Sequence, residues 1–391
     1  MRRILKYLHL GANIKTKPMP SISPDQPSTR LLSLDFFRGL TMFLLIAEGT
    51  GLWWTLVQDP IQGTFLEHFF IQFEHHEWHG LRFWDLIQPF FMFIVGVAMP
   101  FSYRNRILKG ESHGKITRHI IQRSFILLAF GVGLHCGYNK KLVWELWNVL
   151  SQLAVTIPIA YFLMKYPAKV QLAVSLFLLL ITDLLYRHFP LDGYNQPWVI
   201  DKNFGSWMDM VLMGKINNGG GWVAVNFIPT AAHTIWGVLA GQLLMKDVSQ
   251  NYKFKTLLIS GAIALIIGFG LDWTGITPII KRIATVSFVF ASGGWALIGL
   301  ALSYWLIDIK GYKNWIFIFT VVGTNSIFIY VFSQTVGGQW LNQFIAIFSK
   351  GMLRWTGASD FVLNLFTCLV ILAAEWGLCY WLYKRKIFFR I

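Results

Sequence analysis

An all-α bundle of membrane-spanning helices is the fold this sequence predicts, and three observations predict it. The chain of 391 residues is 55% hydrophobic and 16% aromatic, with a mean hydropathy of +0.50. Only 14% of it is charged, well below the roughly 25% of soluble domains. The apolar residues gather into long stretches, and the Lys and Arg residues gather in alternate loops between them. A surface this apolar cannot face water, but lipid accepts it, where about 20 apolar residues cross the hydrocarbon as a helix.

Ten stretches are long enough to be read as spans: 31–54, 83–103, 120–138, 143–163, 168–186, 224–245, 256–274, 283–306, 315–336 and 359–383. An even number puts both ends of the chain on one side. Most of the 34 Lys and Arg fall in the N-terminal tail, the alternate loops near 104–123, 164–169, 246–255 and 307–314, and the C-terminal tail. Cationic loops stay in the cytoplasm, so about ten spans with both termini cytoplasmic are expected. Residues 1–30 read as a basic, then Pro/Ser-rich cytoplasmic tail without a signal-peptide pattern, carrying a short interfacial helix at Ile4 to Leu10. Residues 31–391 read as one membrane domain, with outer loops near 57–82 and 187–223.

The net charge of +15 is explained by the same loops, so no nucleic-acid partner is expected. Cys136, Cys368 and Cys379 have neither CxxC nor metal-ligand spacing.

Ionisable residues inside spans are costly and therefore candidates for function. Asp35 and Arg38 are spaced i, i+3 near the cytoplasmic end of the first stretch, as an intrahelical pair would be. Glu48 stands near its outer end, and Asp85 opens the second stretch at the same depth. Asp183, Asp272, Asp308 and Glu375 read as interfacial or structurally paired. Four of the ten histidines, His68, His75, His76 and His79, lie in the first outer loop. Three readings of that loop stand side by side. It is an interfacial segment anchored by Trp78 and Trp84. Or His75 and His79, i and i+4 beside Glu74 and Glu77, hold a metal, although the pattern is not HExxH and no third ligand is evident. Or one imidazole, oriented by Asp85 or Glu48, works as base or nucleophile.

The run Leu34-Asp35-Phe36-Phe37-Arg38-Gly39-Leu40, then His75-x-x-Trp78-x-Gly80, then Asp85-x-x-x-Pro89-x-Phe91-x-Phe93-x-x-Gly96, resembles the heparan-alpha-glucosaminide N-acetyltransferase family. Asn148 to Gln152, Pro278-Ile-Ile-Lys281 and Gly323-Thr-Asn325 to Tyr330 are similar to further segments of it, so the resemblance runs over about 30–335. Two positions depart from the family pattern: Gly49, beside Glu48, stands where an Asn is usual, and Leu153 replaces an Arg.

The resemblance implies a multi-pass enzyme of a bacterial inner membrane and a homodimer surrounded by membrane lipids. It implies transfer of an acetyl group from cytoplasmic acetyl-CoA to the amine of a glucosamine-type glycan on the far side, with no metal. His75 and Asp85 are then the expected catalytic pair. Asp35, Arg38, Glu48, Trp78, His79, Asn325 and Tyr330 are expected around the substrates, with Arg104 and Arg106 near the nucleotide. A lipid-linked-sugar transporter or flippase and a membrane O-acyltransferase remain the rival readings. The former favours broken helices at matched positions in two halves, and the sequence has no such symmetry.

Overall fold

The computed structural model describes residues 31–217 and 219–389. The tail and short helix expected within 1–30 lie outside the described residues. The described residues form α-helices joined by 3-10 and π segments, with a single isolated β-bridge and no strand. In chain order the α-helices are α1 (Leu32–Gly49), α2 (Leu52–Thr55), α3 (Phe65–Phe70), α4 (Ile87–Leu108), α5 (His113–Asn139), α6 (Val149–Leu163), α7 (Ala168–Arg187), α8 (Phe204–Met213), α9 (Phe227–Met245), α10 (Gln250–Trp273), α11 (Val286–Ser303), α12 (Phe317–Gly323), α13 (Ser326–Phe332), α14 (Asn342–Arg354) and α15 (Asp360–Lys384).

The protein is a helical membrane protein. Among the described residues six helices are long and apolar enough to cross a bilayer: Phe83–Leu108, His113–Asn139, Ala168–Arg187, Gln250–Trp273, Val286–Ile309 and Asp360–Lys384. A seventh crossing results if Asn314–Gly323 and Ser326–Arg354, which meet at a bend of 66°, are one broken span. Each of the ten apolar stretches contains helix, but three of the helices fall short as spans for physical reasons. α1 carries Asp35, Arg38 and Glu48. α9 is interrupted by polar residues such as Thr230, His233 and Gln242. α6 has 15 residues, so its length is about 22 Å against a hydrocarbon core of about 30 Å.

The bundle is built around α9, which packs against α4, α6, α7 and α11 and buries most of its length. α4 and α11 are likewise mostly enclosed, whereas α5, α7 and α10 turn most of their side chains outward, as lipid-facing helices do. Lipid gives no hydrophobic push between helices, so close backbone approach through small residues has to hold them together. The α4–α9 seam shows this: a Cβ on Gly237 would strike the Phe93 carbonyl, and one on Gly96 the Thr234 carbonyl.

Gly237→Leu is expected to force α4 and α9 apart. Overpacking of this kind costs about 1–3 kcal/mol, read as a lower melting midpoint of the purified protein and a smaller folded fraction on size exclusion.

Candidate active site

Three segments distant in sequence are stitched together at the end of the bundle where Glu48 and Asp85 lie. The first loop comes up against the loop after α10: the Gly80 N–H donates to the Ile279 carbonyl at 2.9 Å, and His79 and Ile280 form the antiparallel bridge. Gly80 has φ +143°, and a Cβ there would strike the His76 ring, so glycine is what this crossing needs. The second loop joins through Arg282, whose Nη1 donates to the Gly220 carbonyl at 2.6 Å and whose own carbonyl accepts from Asn226 Nδ2 at 2.8 Å. This brings Trp222 over Lys281, with Nζ 5.4 Å from the ring centroid.

At the junction stands Asp85, wholly buried. Its Oδ2 accepts from the backbone N–H groups of Arg82 at 2.9 Å and His76 at 3.3 Å. Its Oδ1 lies 3.1 Å from His75 Nδ1 and 3.4 Å from Lys281 Nζ. Lys281 Nζ is also 3.0 Å from His75 Nδ1. The ring's Nε2 has no protein partner among the described residues. Burial and the adjacent Lys281 charge hold the imidazole below its ordinary value of 6.5, against the opposite pull of Asp85. Burial pushes the Lys281 ammonium down to about 8, against Asp85 and Glu48.

His75, Lys281, Trp84 and Trp222 line a cavity of about 190 Å³ with Glu48, Tyr330 and the end of α6. Glu48 Oε1 accepts from Trp84 Nε1 at 2.7 Å. The Asn148 side chain caps α6, accepting from the N–H groups of Leu150 and Ser151 at 3.0 Å each, and Gln88 Nε2 donates to Gln152 Oε1 at 2.6 Å. Phe91 forms part of this cavity and also of a second one of about 1250 Å³. The larger cavity is basic. Arg38, Arg104, Arg106, Lys109, Arg123, Lys246 and Lys253 line it against Asp35, Glu111 and Asp247. The Nε atoms of Arg104 and Arg123 are buried there with no hydrogen-bond partner among the described residues.

The sequence-derived residues divide between the two cavities and their surroundings. His75, Glu48 and Tyr330 line the smaller cavity, with Asp85 just behind it. Asp35 and Arg38 line the larger one, 3.9 Å apart as the i, i+3 spacing predicted. Trp78 and His79 hold the loop in position: Trp78 Nε1 donates to the Trp198 carbonyl at 2.8 Å, and His79 Nε2 lies 2.7 Å from Asp272 Oδ1. His75 and His79 are therefore engaged by different carboxylates. Asn325 lies elsewhere: its Nδ2 donates to the Ile387 carbonyl at 3.0 Å and its Oδ1 accepts from the Phe389 N–H at 2.9 Å, which clamps the C-terminal segment.

Of the four carboxylates read as interfacial or structurally paired, Asp183 meets Arg187 at 2.6 Å, Asp272 meets His79, and Asp308 accepts from the Ser33 N–H at 3.1 Å. Glu375 differs: its Oε2 is buried with no hydrogen-bond partner among the described residues. Lys281, Trp222, Phe91, Gln88 and Trp147 escaped the sequence reading as site residues. A signal for Lys281 existed, because Lys281-Arg282 stand in a short loop of the alternate set that carries the fewer cations in the sequence.

The heparan-alpha-glucosaminide N-acetyltransferase of Mus musculus is 24% identical to this chain over 457 aligned residues, covering 98% of this chain and 64% of that protein. The Homo sapiens protein of the same name is 29% identical over 133 residues, covering 32% of this chain and 17% of its own length. The chain thus spans less than two thirds of the mouse relative. No family model matches it.

Lys281 leaves a signature in stability. Its folded value of about 8 lies below the ordinary 10.5, so between these two pH values the unfolded chain binds more protons and stability rises with pH. The melting midpoint of the wild type is expected to climb from pH 8 to 10, and Lys281→Met to flatten that slope.

Proposed function

We propose that this protein is a membrane acyltransferase that moves an acetyl group from cytoplasmic acetyl-CoA to the amine of a glucosamine-type sugar on the opposite face. The observation that carries the reading is the juxtaposition at Phe91. On one side lies an imidazole backed by a buried carboxylate, and on the other a large cavity rich in arginine and lysine. The names of the two relatives support the same chemistry.

Acetyl-CoA joins a polyanionic nucleotide, which cannot enter lipid, to a slender arm that ends in the thioester. In this reading the phosphates rest among Arg104, Arg123 and their neighbours, whose unpartnered Nε atoms suit charge-assisted bonds. The arm passes Phe91, and the thioester carbonyl arrives beside His75. Asp35 and Arg38 serve the nucleotide side; Glu48 and Tyr330 serve the sugar side.

His75 then acts by one of two routes. As a base, Nε2 takes a proton from the amine while its nitrogen attacks the carbonyl, the C–S bond breaks and the thiolate leaves with a proton. As a nucleophile, Nε2 itself displaces the thiolate, and the amine resolves the acyl-imidazole. Labelled acetyl-CoA without acceptor separates the routes, because only the second leaves label on His75.

The orientation proposed with this function has about ten crossings, both termini cytoplasmic, and the basic cavity on the cytoplasmic side of a bacterial inner membrane. A homodimer in the lipid completes the proposal.

The test is purified protein with acetyl-CoA and glucosamine, following free CoA. Release that requires the amine is expected in the wild type, with His75→Ala lower by about 10³-fold, within the 10²–10⁴ typical of a proton-transfer group. A variant that turns over normally would end the reading, and sugar transport without CoA release would favour a transporter. Arg123→Ala is expected to raise KM for acetyl-CoA about tenfold with kcat little changed, the loss of one charge-assisted bond.

A further inference from the structure

His75 Nδ1 faces two groups of opposite character: Asp85 Oδ1 at 3.1 Å and Lys281 Nζ at 3.0 Å. A ring nitrogen either carries a proton or offers a lone pair, a carboxylate only accepts, and an ammonium only donates. The two partners therefore demand opposite tautomers. When Lys281 is an ammonium it donates to Nδ1, and the single proton of the neutral ring sits on Nε2. When Lys281 is an amine, Nδ1–H donates to Asp85, and Nε2 presents its lone pair.

We propose that Lys281 is a positioning residue that selects the tautomer of His75, so that loss of one proton from Lys281 frees Nε2 for chemistry. The balance is simple. The ammonium gives one proton to solvent, the ring proton passes from Nε2 to Nδ1, and no other bond changes. The inference rests on the acyl-transfer reading only for the purpose the freed nitrogen serves.

The surroundings hold Lys281 to this role. Its side chain is 7% exposed, with Trp222 over Nζ, so it cannot swing into water to leave Nδ1 to Asp85. The charged groups acting on it are Asp85 and His75, Glu48 from α1, and Arg282 from its own loop. Those acting on His75 are Lys281, Asp85 and Arg282. Glu77 acts one step removed through Arg282, and Glu74 through Glu48. Burial brings the lysine down to about 8, where the amine is within reach of a cell's pH.

The test uses the whole purified protein and diethyl pyrocarbonate, which carbethoxylates an imidazole nitrogen that has a free lone pair. Modification of His75 is measured by mass spectrometry from pH 6.5 to 9.5, relative to exposed His68 in the same sample. In the wild type the His75/His68 ratio is expected to climb about tenfold from pH 7 to 9, following the neutral fraction of a lysine near pH 8. Lys281→Met should be high and flat across the range, and Lys281→Arg, a permanent cation, low and flat. A charge needed only for packing predicts that Lys281→Arg restores the wild-type curve, and that result overturns the proposal. Should Lys281→Met fail to fold, the wild-type curve decides, because a ratio flat with pH is equally fatal. The same limb is expected in kcat/KM for acetyl transfer. A rising His75 reactivity without any transfer would sink only the enzymatic reading, and transfer without the limb only the role of Lys281.

Discussion

The burial of one carboxylate organises the end of the bundle that carries His75. Asp85 is shut off from solvent, and a charge removed from water is tolerated only where partners replace the water. Two backbone N–H groups do so here, together with whichever of the His75 ring and the Lys281 amino group is donating, from residues 75, 76, 82 and 281. No single loop could provide that set. The loop that precedes α4 has to fold back on that helix's start, and the loop between α10 and α11 has to reach across to it. Trp222 and the segment around Gly220 then close over Lys281 through Arg282. What looks in sequence like three independent connections is one structure around one anion.

That dependence explains which parts of the protein were legible in the sequence. Helices announce themselves by composition, and every long apolar stretch contains helix, although 315–336 is broken into several pieces. The Asp35–Arg38 pair is local, set by a spacing of three residues, and it stands where spacing puts it. His75 and Asp85 are ten apart, close enough for one loop to be read as a unit. Lys281 is 206 residues from His75, and nothing in the periodicity of either segment points to the other. Its sign was visible, in a cation among the loops that carry the fewer, but not its partner. Asn325 shows the complementary case. Its place in a segment similar to the family's puts it near substrate, yet here its amide is bonded to the backbone of Ile387 and Phe389 in the C-terminal segment.

The histidine loop makes the same point about chemistry. Four imidazoles within a dozen residues allow metal binding, interfacial anchoring or catalysis, and composition alone cannot choose. Geometry distributes them. His79 is engaged by Asp272, the His76 ring is pressed under Gly80, and His68 stands in solvent near the Thr64 carbonyl. His75 alone of the four meets a buried anion on one side while lining a cavity on the other. An imidazole so held keeps one ring nitrogen fixed and the other free, which is what proton transfer or attack on a carbonyl requires.

Two of the helices that fall short as membrane spans, α1 and α6, contribute to the walls of both cavities, together with α4. All three ionisable residues of α1 line a cavity, Asp35 and Arg38 the basic one and Glu48 the other. The groups that spoil its hydropathy are thus the groups that face polar space, and lipid need not meet them. The shortness of α6 has the same effect by another means. With fifteen residues the helix begins only at Val149, capped by Asn148, and its first turns line the smaller cavity, where Gln88 donates to Gln152. A full-length apolar helix in either place would make a better span and would fill the space on one side of Phe91. Charge in the one segment and shortness in the other are therefore marks of cavity walls, and they are the features that a count of spans discards first.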